Sequence, residues 1–327
     1  MRTADFDYSL PKELIAQYPL ADRAASRMMV VNRATGEIRH DWFRNLPSYL
    51  REGDLLVLND TRVIPARIWS QKPPVELLLV EKLGGNRWSA LVKPGHRAKV
   101  GRRLFFTPWL SAVVEAEASF GGRILRFEGN VESYIAHHGE VPLPPYIERR
   151  AERADEERYQ TVYARTPGAI AAPTAGLHFT AEMLSKLPHV FITLHVGVGT
   201  FRPVKVEKVE QHKMHEERFI ISAESAEKIR AARRVVAIGT TVVRALESVA
   251  RQRGGIRAVS GTTDLFIYPP FEFRVVGALL TNFHLPRSTL LMLVCAFGGR
   301  ELVLRAYEEA VRERYRFYSY GDCMLIV

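Results

Sequence analysis

A run of short β-type segments interrupts an otherwise mixed pattern of helices and strands, and this limits the folds open to the chain. Between Thr61 and Phe127 the sequence has only brief apolar stretches, separated by turn signals such as Gly84-Gly85-Asn86 and Pro94-Gly95. Such spacing is typical of a small barrel or sandwich. The flanking parts alternate between strand and helix patterns, as α/β proteins do. We therefore predict a discontinuous, barrel-like α/β domain of residues 1–60 and 145–327, with an inserted small β-barrel domain of residues 61–144.

Several elements of the α/β part can be predicted individually. Asp54–Leu58 is almost wholly apolar, which indicates a strand covered on both faces. Residues 241–252 carry apolar side chains at helical spacing, which predicts a helix. The same patterns predict a short helix at Pro11–Gln17 and a strand at Leu265–Ile267.

The charge balance bears on partners. The chain has 46 Lys and Arg against 36 Asp and Glu, a formal net charge of +10, which favours a polyanion or an anionic membrane. The longest apolar run, Leu290–Phe297, is far shorter than the ~20 residues of a spanning helix, and no apolar signal segment precedes the acidic Asp5 and Asp7. The two cysteines lack metal-site or redox-pair spacing. We therefore expect a cytoplasmic protein that does not enter a membrane.

Common catalytic motifs are missing from the sequence. There is no nucleotide-binding phosphate loop and no G-x-S-x-G serine elbow. Gly197-Val-Gly199 follows a predicted strand, but Arg202 stands where a dinucleotide-binding fold needs its third glycine. His215-Glu216 begins a zinc-protease pattern that fails at Phe219.

Polar residues concentrate instead where strands or loops should meet solvent. Four segments and two shorter ones share this character: 172–179, 194–201, 212–216, 280–286, 59–62 and 239–241. Within them, Gly239-Thr-Thr241 follows an apolar strand and precedes a helix, an arrangement that attracts a carboxylate or phosphate. Spacing alone favours the alternative that Thr240 or Thr241 caps its own helix. Arg244 is either an anion clamp or part of a solvated ion-pair face with Glu247 and Arg251.

Five histidines in these segments can exchange protons near neutral pH: His178, His195, His212, His215 and His284. His212 and His215, with His195, have a spacing that permits zinc, but a structural histidine is the commoner case. Arginines and aromatic residues alternate in 146–159 and Arg312–Tyr320, which suits RNA phosphates and unpaired bases. For the first of these two segments, a solvated helix face explains the pattern at least as well.

Taken together, these segments resemble the S-adenosylmethionine:tRNA ribosyltransferase-isomerases of queuosine biosynthesis. The resemblance runs from Tyr8-Ser-Leu-Pro11 to Tyr320-Gly-Asp322. Its most specific strings are Asn59-Asp-Thr-Arg-Val-Ile-Pro-Ala-Arg67, Ala172–Phe179, His195–Phe201, His212–Glu216, Gly239-Thr-Thr241 and Thr281–Pro286. The sequence departs from the family at Pro270, at Gly277, where we expect an acidic residue, and in a short turn at 69–74. The family fold is an α/β domain interrupted by a β-barrel.

The resemblance implies a reaction and a set of partners. Such enzymes transfer and isomerise the ribosyl part of S-adenosylmethionine onto the aminomethyl group of a 7-deazaguanine in the tRNA anticodon loop, which releases adenine and methionine. It implies S-adenosylmethionine as co-substrate and no metal. Separately from the resemblance, we expect a monomer. This chemistry needs at least one general base and one general acid.

Under this interpretation the candidate residues fall into three groups. The proton-transfer candidates are His178, His195, His212, His215, Glu216 and His284. The candidates for holding S-adenosylmethionine are Thr174, Gly176, Gly197, Gly199, Thr200, Gly239, Thr240 and Thr241. The candidates for contacting the RNA substrate are Asp60, Arg62, Arg149, Arg150 and Asn282. Two alternatives stay open: a metal-dependent hydrolase acting on nucleic acid, and a non-catalytic RNA-binding protein.

Overall fold

A large mixed sheet and a small antiparallel barrel contain most of the strands in the computed structural model, which describes residues 1–118, 121–197 and 204–327. The strands are β1 (Arg27–Asn32), β2 (Glu37–Trp42), β3 (Asp54–Asn59), β4 (Thr61–Val63), β5 (Arg67–Ser70), β6 (Val75–Gly84), β7 (Arg87–Lys93), β8 (Arg103–Thr107), β9 (Leu110–Glu117), β10 (Arg123–Glu128), β11 (Thr166–Ala169), β12 (His189–Leu194), β13 (Glu217–Ile221), β14 (Arg234–Ile238), β15 (Val259–Thr263), β16 (Val276–Asn282) and β17 (Cys323–Ile326). The helices are α1 (Val131–His138), α2 (Arg153–Arg158), α3 (Ala181–Ser185), α4 (Ala223–Ala231), α5 (Thr240–Arg253), α6 (Thr289–Gly298) and α7 (Arg300–Arg312).

The large sheet has nine strands in the order β15-β13-β12-β3-β14-β16-β17-β1-β2. Its central strands β12, β3, β14 and β16 are mutually parallel. Every residue of β3 is buried, which confirms the strand predicted from its apolar sequence. Because parallel strands end at the same edge of a sheet, the segments that follow β3, β12, β14 and β16 come together there.

Both faces of this sheet are covered. Val57 of β3 packs in a core with α5, α6 and α7, whereas its neighbours Leu56 and Leu58 pack on the opposite face with Phe179. This alternation follows from the two-residue repeat of a strand. Two buried faces hold the strands rigidly and fix the positions of the loops at their ends.

The inserted part is a nearly closed barrel of six antiparallel strands in the order β5-β6-β7-β10-β9-β8. The two end strands meet where the Gln71 N–H donates to the Phe105 carbonyl (2.7 Å) and the Phe105 N–H to the Lys72 carbonyl (2.9 Å). The barrel has its own apolar core. An α/β fold with an inserted β-barrel is therefore confirmed, while the boundaries at residues 60/61 and 144/145 stay predictions.

Two predicted elements are wrong. Leu265–Ile267 is not a strand, because the chain leaves the sheet after β15, and the Leu265 N–H and carbonyl bond to Thr263 and Arg244 side chains instead. Pro11–Gln17 contains only a single 3-10 turn, Lys12–Leu14. No helix in the described ranges combines the length and apolar character needed to cross a bilayer.

Candidate functional site

An open cavity, with about 640 Å³ of empty space that includes open solvent, lies where β14 and β16 end, and we call it the sheet-edge cavity. Six of the predicted site residues line it: Thr174, Gly239, Thr240, Thr241, Asn282 and His284. Among the described residues of its wall there is no Lys, Arg, Asp or Glu. A ligand in this cavity therefore meets neutral polar groups and apolar surface.

The start of α5 forms part of this wall. Its N-cap is Gly239, at φ +96°, and no side chain caps the helix. The interpretation of Thr240 or Thr241 as the cap is therefore wrong, because both threonines lie inside the helix. An uncapped helix start presents backbone N–H groups, which suit a carboxylate.

His284 is a buried, neutral histidine of the same cavity. Its Nε2 lies 2.7 Å from Thr281 Oγ1, and its backbone N–H donates to Tyr307 Oη (3.0 Å). Burial lowers the pKa of His284 to about 3. His284 is therefore a neutral hydrogen-bonding group at physiological pH.

His178 lies behind the cavity wall rather than in it. Its Nε2 is 3.1 Å from Asn282 Oδ1 and its Nδ1 is 2.9 Å from Ser26 Oγ. Burial lowers the pKa of His178 to about 4. The Asn282 amide donates to the carbonyl oxygens of Tyr318 (2.8 Å) and Ser319 (3.4 Å), so both polar atoms of Asn282 have protein partners.

A second open cavity, with about 1260 Å³ of empty space that includes open solvent, lies between the barrel and the large sheet, and we call it the junction cavity. The barrel side contributes Trp88, and the sheet side contributes His195, Gly197 and Glu216. Val196 lines both this cavity and the sheet-edge cavity, so the two adjoin. An added Cβ on Gly197 would meet no described atom within 4 Å.

His195 is held by contacts on two sides. Its Nδ1 lies 2.8 Å from Thr61 Oγ1, and its ring packs on Gly168, where a Cβ would lie 2.9 Å from Cε1. Burial lowers the pKa of His195, opposed by the Asp60 carboxylate, which itself bonds to Arg165 and Thr193. His195 is therefore neutral at physiological pH and can accept a proton.

A buried ion pair supports this cavity, and sequence reasoning missed it. Arg244 of α5 bonds to Glu217 of β13, and both are almost fully buried. The other Glu217 carboxylate oxygen accepts the Gly197 N–H (3.2 Å). The interpretation of Arg244 as part of a solvated face is therefore wrong, and its partner is Glu217 rather than an external anion. Glu247 is also buried and accepts three backbone N–H groups, those of Arg274, Val275 and Val276.

Other candidates lie outside the two cavities. Gly176 is a glycine because Tyr163 Oη and the Thr161 methyl occupy the space of a Cβ. His212 packs against Phe266, with ring centroids 5.3 Å apart, and burial lowers its pKa. His215 is half-buried and is in neither described lining. Gly199 and Thr200 lie outside the described residues.

The predicted RNA contacts differ in availability. Arg149 makes two bonds to Asp155 (2.6 and 2.8 Å), so its guanidinium is already paired. Arg62 and Arg150 are exposed. Gly277, the departure from the family pattern, packs under the Arg234 side chain at the start of β16, at the opposite end of that strand from the sheet-edge cavity.

No three His, Cys, Asp or Glu side chains within the described ranges are grouped in a way that could hold a metal ion. The zinc arrangement of His195, His212 and His215 is thus not formed there. That the reaction uses no metal stays a prediction.

Comparisons with known proteins show which proteins this chain is similar to over its full length. The profile of a family described as queuosine biosynthesis protein matches residues 3–326. The chain is 55% identical over 342 residues to a protein of Carboxydothermus hydrogenoformans, and 54% over 344 residues to one of Symbiobacterium thermophilum, with all of each chain covered. Both relatives are named S-adenosylmethionine:tRNA ribosyltransferase-isomerase. The crystal structure of an S-adenosylmethionine tRNA ribosyltransferase from Thermotoga maritima is 43% identical, with a TM-score of 0.58, over 99% of this chain and 100% of that one.

Proposed function

The chain belongs to the queuosine biosynthesis family, and on that premise we propose that it is an S-adenosylmethionine:tRNA ribosyltransferase-isomerase. It transfers and isomerises the ribosyl part of S-adenosylmethionine onto the aminomethyl group of 7-aminomethyl-7-deazaguanine in tRNA. The products are epoxyqueuosine-tRNA, adenine and methionine. A metal-dependent hydrolase and a non-catalytic RNA-binding protein are not favoured, since full-length relatives carry the name of this enzyme.

One structural observation carries the proposal: the family strings gather around two adjoining cavities. Residues of 172–175, 239–241 and 281–286 line the sheet-edge cavity, and His195, Gly197 and Glu216 line the junction cavity. The string 59–67 reaches the same place through Thr61, which bonds to His195. A reaction between two large substrates needs such neighbouring spaces.

The sheet-edge cavity suits S-adenosylmethionine. The uncapped start of α5 at Gly239, Thr240 and Thr241 would receive its carboxylate. The positive charge of the sulfonium acidifies its neighbouring C–H bonds. In a wall without charged side chains this charge is weakly screened, and no protein cation competes with it. Thr174 and His284 add neutral polar groups along the same wall.

The junction cavity suits the modified nucleotide. It is the larger space, it opens between barrel and sheet, and the buried Trp88 of the barrel core is part of its lining. The exposed Arg62 and Arg150 would contact phosphates of the anticodon loop. Binding of the anticodon loop, and action as a monomer, are parts of this proposal.

His195 is the favoured general base. Its lowered pKa keeps it neutral at physiological pH, and Thr61 orients its ring beside the place where the two cavities adjoin. As a base it removes a proton beside the sulfonium or from the incoming amine, which must be neutral to attack. Glu216, on the same cavity, is a second proton-transfer candidate. His178 and His284 are buried and neutral, and they position other groups.

Incubation with labelled S-adenosylmethionine and tRNA bearing the aminomethyl base tests the function. Adenine, methionine and labelled RNA should appear in equal amounts. Replacing His195 with Ala should slow adenine release while leaving tRNA affinity nearly intact. His189→Ala is the matched control, because His189 lies at the opposite end of the strand that precedes His195. Failure to form labelled RNA would refute the function, and full turnover in the His195 variant would refute the role of His195 as a base.

A further inference from the structure

Tyr318 has a backbone conformation that is rare for a bulky residue. Its φ of +70° lies in the left-handed region, shared in the described chain by only two other non-glycine residues, Arg287 and Arg314. The Tyr318 N–H donates to the Phe283 carbonyl (3.2 Å), and its own carbonyl accepts from Asn282 Nδ2 (2.8 Å). The end of β16 therefore holds this conformation from both sides.

The Tyr318 hydroxyl has no hydrogen-bond partner among the described residues, although the side chain is buried. Its ring packs against Tyr146, with centroids 4.6 Å apart, and the Tyr146 hydroxyl bonds to Ser319 Oγ (2.7 Å). A buried hydroxyl that bonds to nothing is costly, and native proteins rarely leave one without a reason.

The position of Tyr318 in the fold supplies a reason for its unpartnered hydroxyl. Ten buried side-chain polar atoms in the described ranges lack a partner, and Tyr318 Oη alone among them belongs to a residue that lines the sheet-edge cavity. A strained backbone, an unpartnered donor and a cavity thus coincide at one residue. Strain of this kind clusters where a side chain must be aimed at a ligand.

We propose that Tyr318 Oη donates a hydrogen bond to S-adenosylmethionine in the sheet-edge cavity, and that Asn282 is the positioning residue that aims it. This inference rests on the proposed function for the identity of the ligand. It assigns to Asn282 a role different from the RNA contact predicted from sequence. Asn282 acts through Tyr318, because its amide holds the Tyr318 carbonyl and its Oδ1 bonds to His178.

The protonation states agree with this arrangement. Burial raises the pKa of Tyr318, so the hydroxyl keeps its proton and acts as a donor. Asn282 Nδ2 donates to a carbonyl, so the Asn282 Oδ1 must be the acceptor in its contact with His178. Neutral His178 therefore donates from Nε2 to Asn282, and its Nδ1 accepts from the Ser26 hydroxyl. The hydrogen bonds from Ser26 through His178 and Asn282 therefore form one directed chain that ends at the backbone carbonyl of Tyr318.

Tyr318→Phe removes the hydroxyl alone and is the direct test. Binding of S-adenosylmethionine, measured calorimetrically without tRNA, should weaken roughly five- to tenfold, the usual effect of one lost hydrogen bond. The melting temperature should not fall, because no protein partner is lost. Tyr163→Phe is the matched control: the Tyr163 hydroxyl is buried and also lacks a described partner, and Tyr163 is not in the cavity lining. It should leave binding unchanged.

A double-mutant cycle tests the role of Asn282. Asn282→Ala should weaken binding in the wild-type background but add little to Tyr318→Phe, because both changes remove the same contact. A merely structural role would instead give additive losses. The affinities for adenine and methionine locate the acceptor: a loss for one of them in Tyr318→Phe places it on that part, and unchanged affinity for both places it on the ribose.

The outcomes separate this inference from the proposed function. If wild type forms labelled RNA but Tyr318→Phe binds S-adenosylmethionine, adenine and methionine as tightly as wild type, the inference is refuted and the function stands. If wild type forms no labelled RNA, the proposed function is refuted with it. Additive losses in the cycle would refute the positioning role of Asn282.

Discussion

The buried Arg244–Glu217 pair should be critical for stability only while both charges are present. Arg244→Met leaves a carboxylate buried without its cation, and Glu217→Leu leaves a guanidinium buried without its anion. Breaking such a pair costs about 3–5 kcal/mol. With an unfolding entropy of about 2.1 cal/mol/K per residue, that cost lowers the melting temperature of a chain of this length by roughly 4–7 °C.

The double variant Arg244→Met/Glu217→Leu should recover most of this loss, because two apolar side chains fill the space without a buried charge. Calorimetric melting of the wild type, the two single variants and the double variant measures the effect. Lys186→Met breaks the exposed Lys186–Glu182 pair and is the control, which should not shift the melting temperature. The double variant should still turn over slowly, since the Gly197 N–H loses its acceptor. Singles that melt within a degree of wild type, or a double that melts below both, would show that this reasoning is wrong.

Three further outcomes follow from the structure. The free energy of unfolding should drop as the pH falls from 6.5 towards 4, because the histidines become protonated in the unfolded chain while buried His178 and His284 stay neutral in the folded one. For His178 alone the loss is about 3 kcal/mol. Denaturant melts of His178→Gln should therefore show a flatter pH dependence, and an unchanged pH dependence would contradict the assignment. Gly176→Ala should destabilise the folded protein by about 1–3 kcal/mol, because the added methyl group clashes with Tyr163, whereas Gly197→Ala should melt like wild type. Equal melting temperatures for the two variants would count against the packing role of Gly176. The affinity for tRNA should fall with salt, and Arg62→Ala or Arg150→Ala should each reduce the log–log slope by about 0.7; slopes equal to that of wild type would exclude phosphate contacts at these positions.

Strand and helix patterns predicted much of the fold because burial imposes a regular period on the sequence. The apolar run at β3 and the helical stripe of α5 correspond closely to the observed elements. Leu265–Ile267 has an equally apolar sequence, but side chains of Thr263 and Arg244 take its backbone hydrogen bonds. Local sequence carries no information about a partner as distant as Arg244, which lies 21 residues away.

The candidate site, like the fold, could be predicted only in part from the sequence. Gly239-Thr-Thr241 and His195 could be found from sequence because they directly follow strands, and parallel strands end together. Arg244 could not be interpreted correctly, since its partner Glu217 lies 27 residues away on another element. Tyr318 and Asn282 were separated in the same way, by 36 residues, and only the fold brings the donor and the carbonyl together.

The position of β17 has a consequence for how the protein is made. It lies between β16 and β1, so the β1–β2 hairpin joins the other described strands of the large sheet through β17 alone. Yet β17 is translated after all of them. On the ribosome, the nascent hairpin must therefore wait while nearly the whole chain emerges, with the facing edges of β1 and β16 unpaired. Tyr318 and Ser319 arrive just ahead of β17, so the sheet-edge cavity of a nascent chain is incomplete until its synthesis has nearly reached this strand.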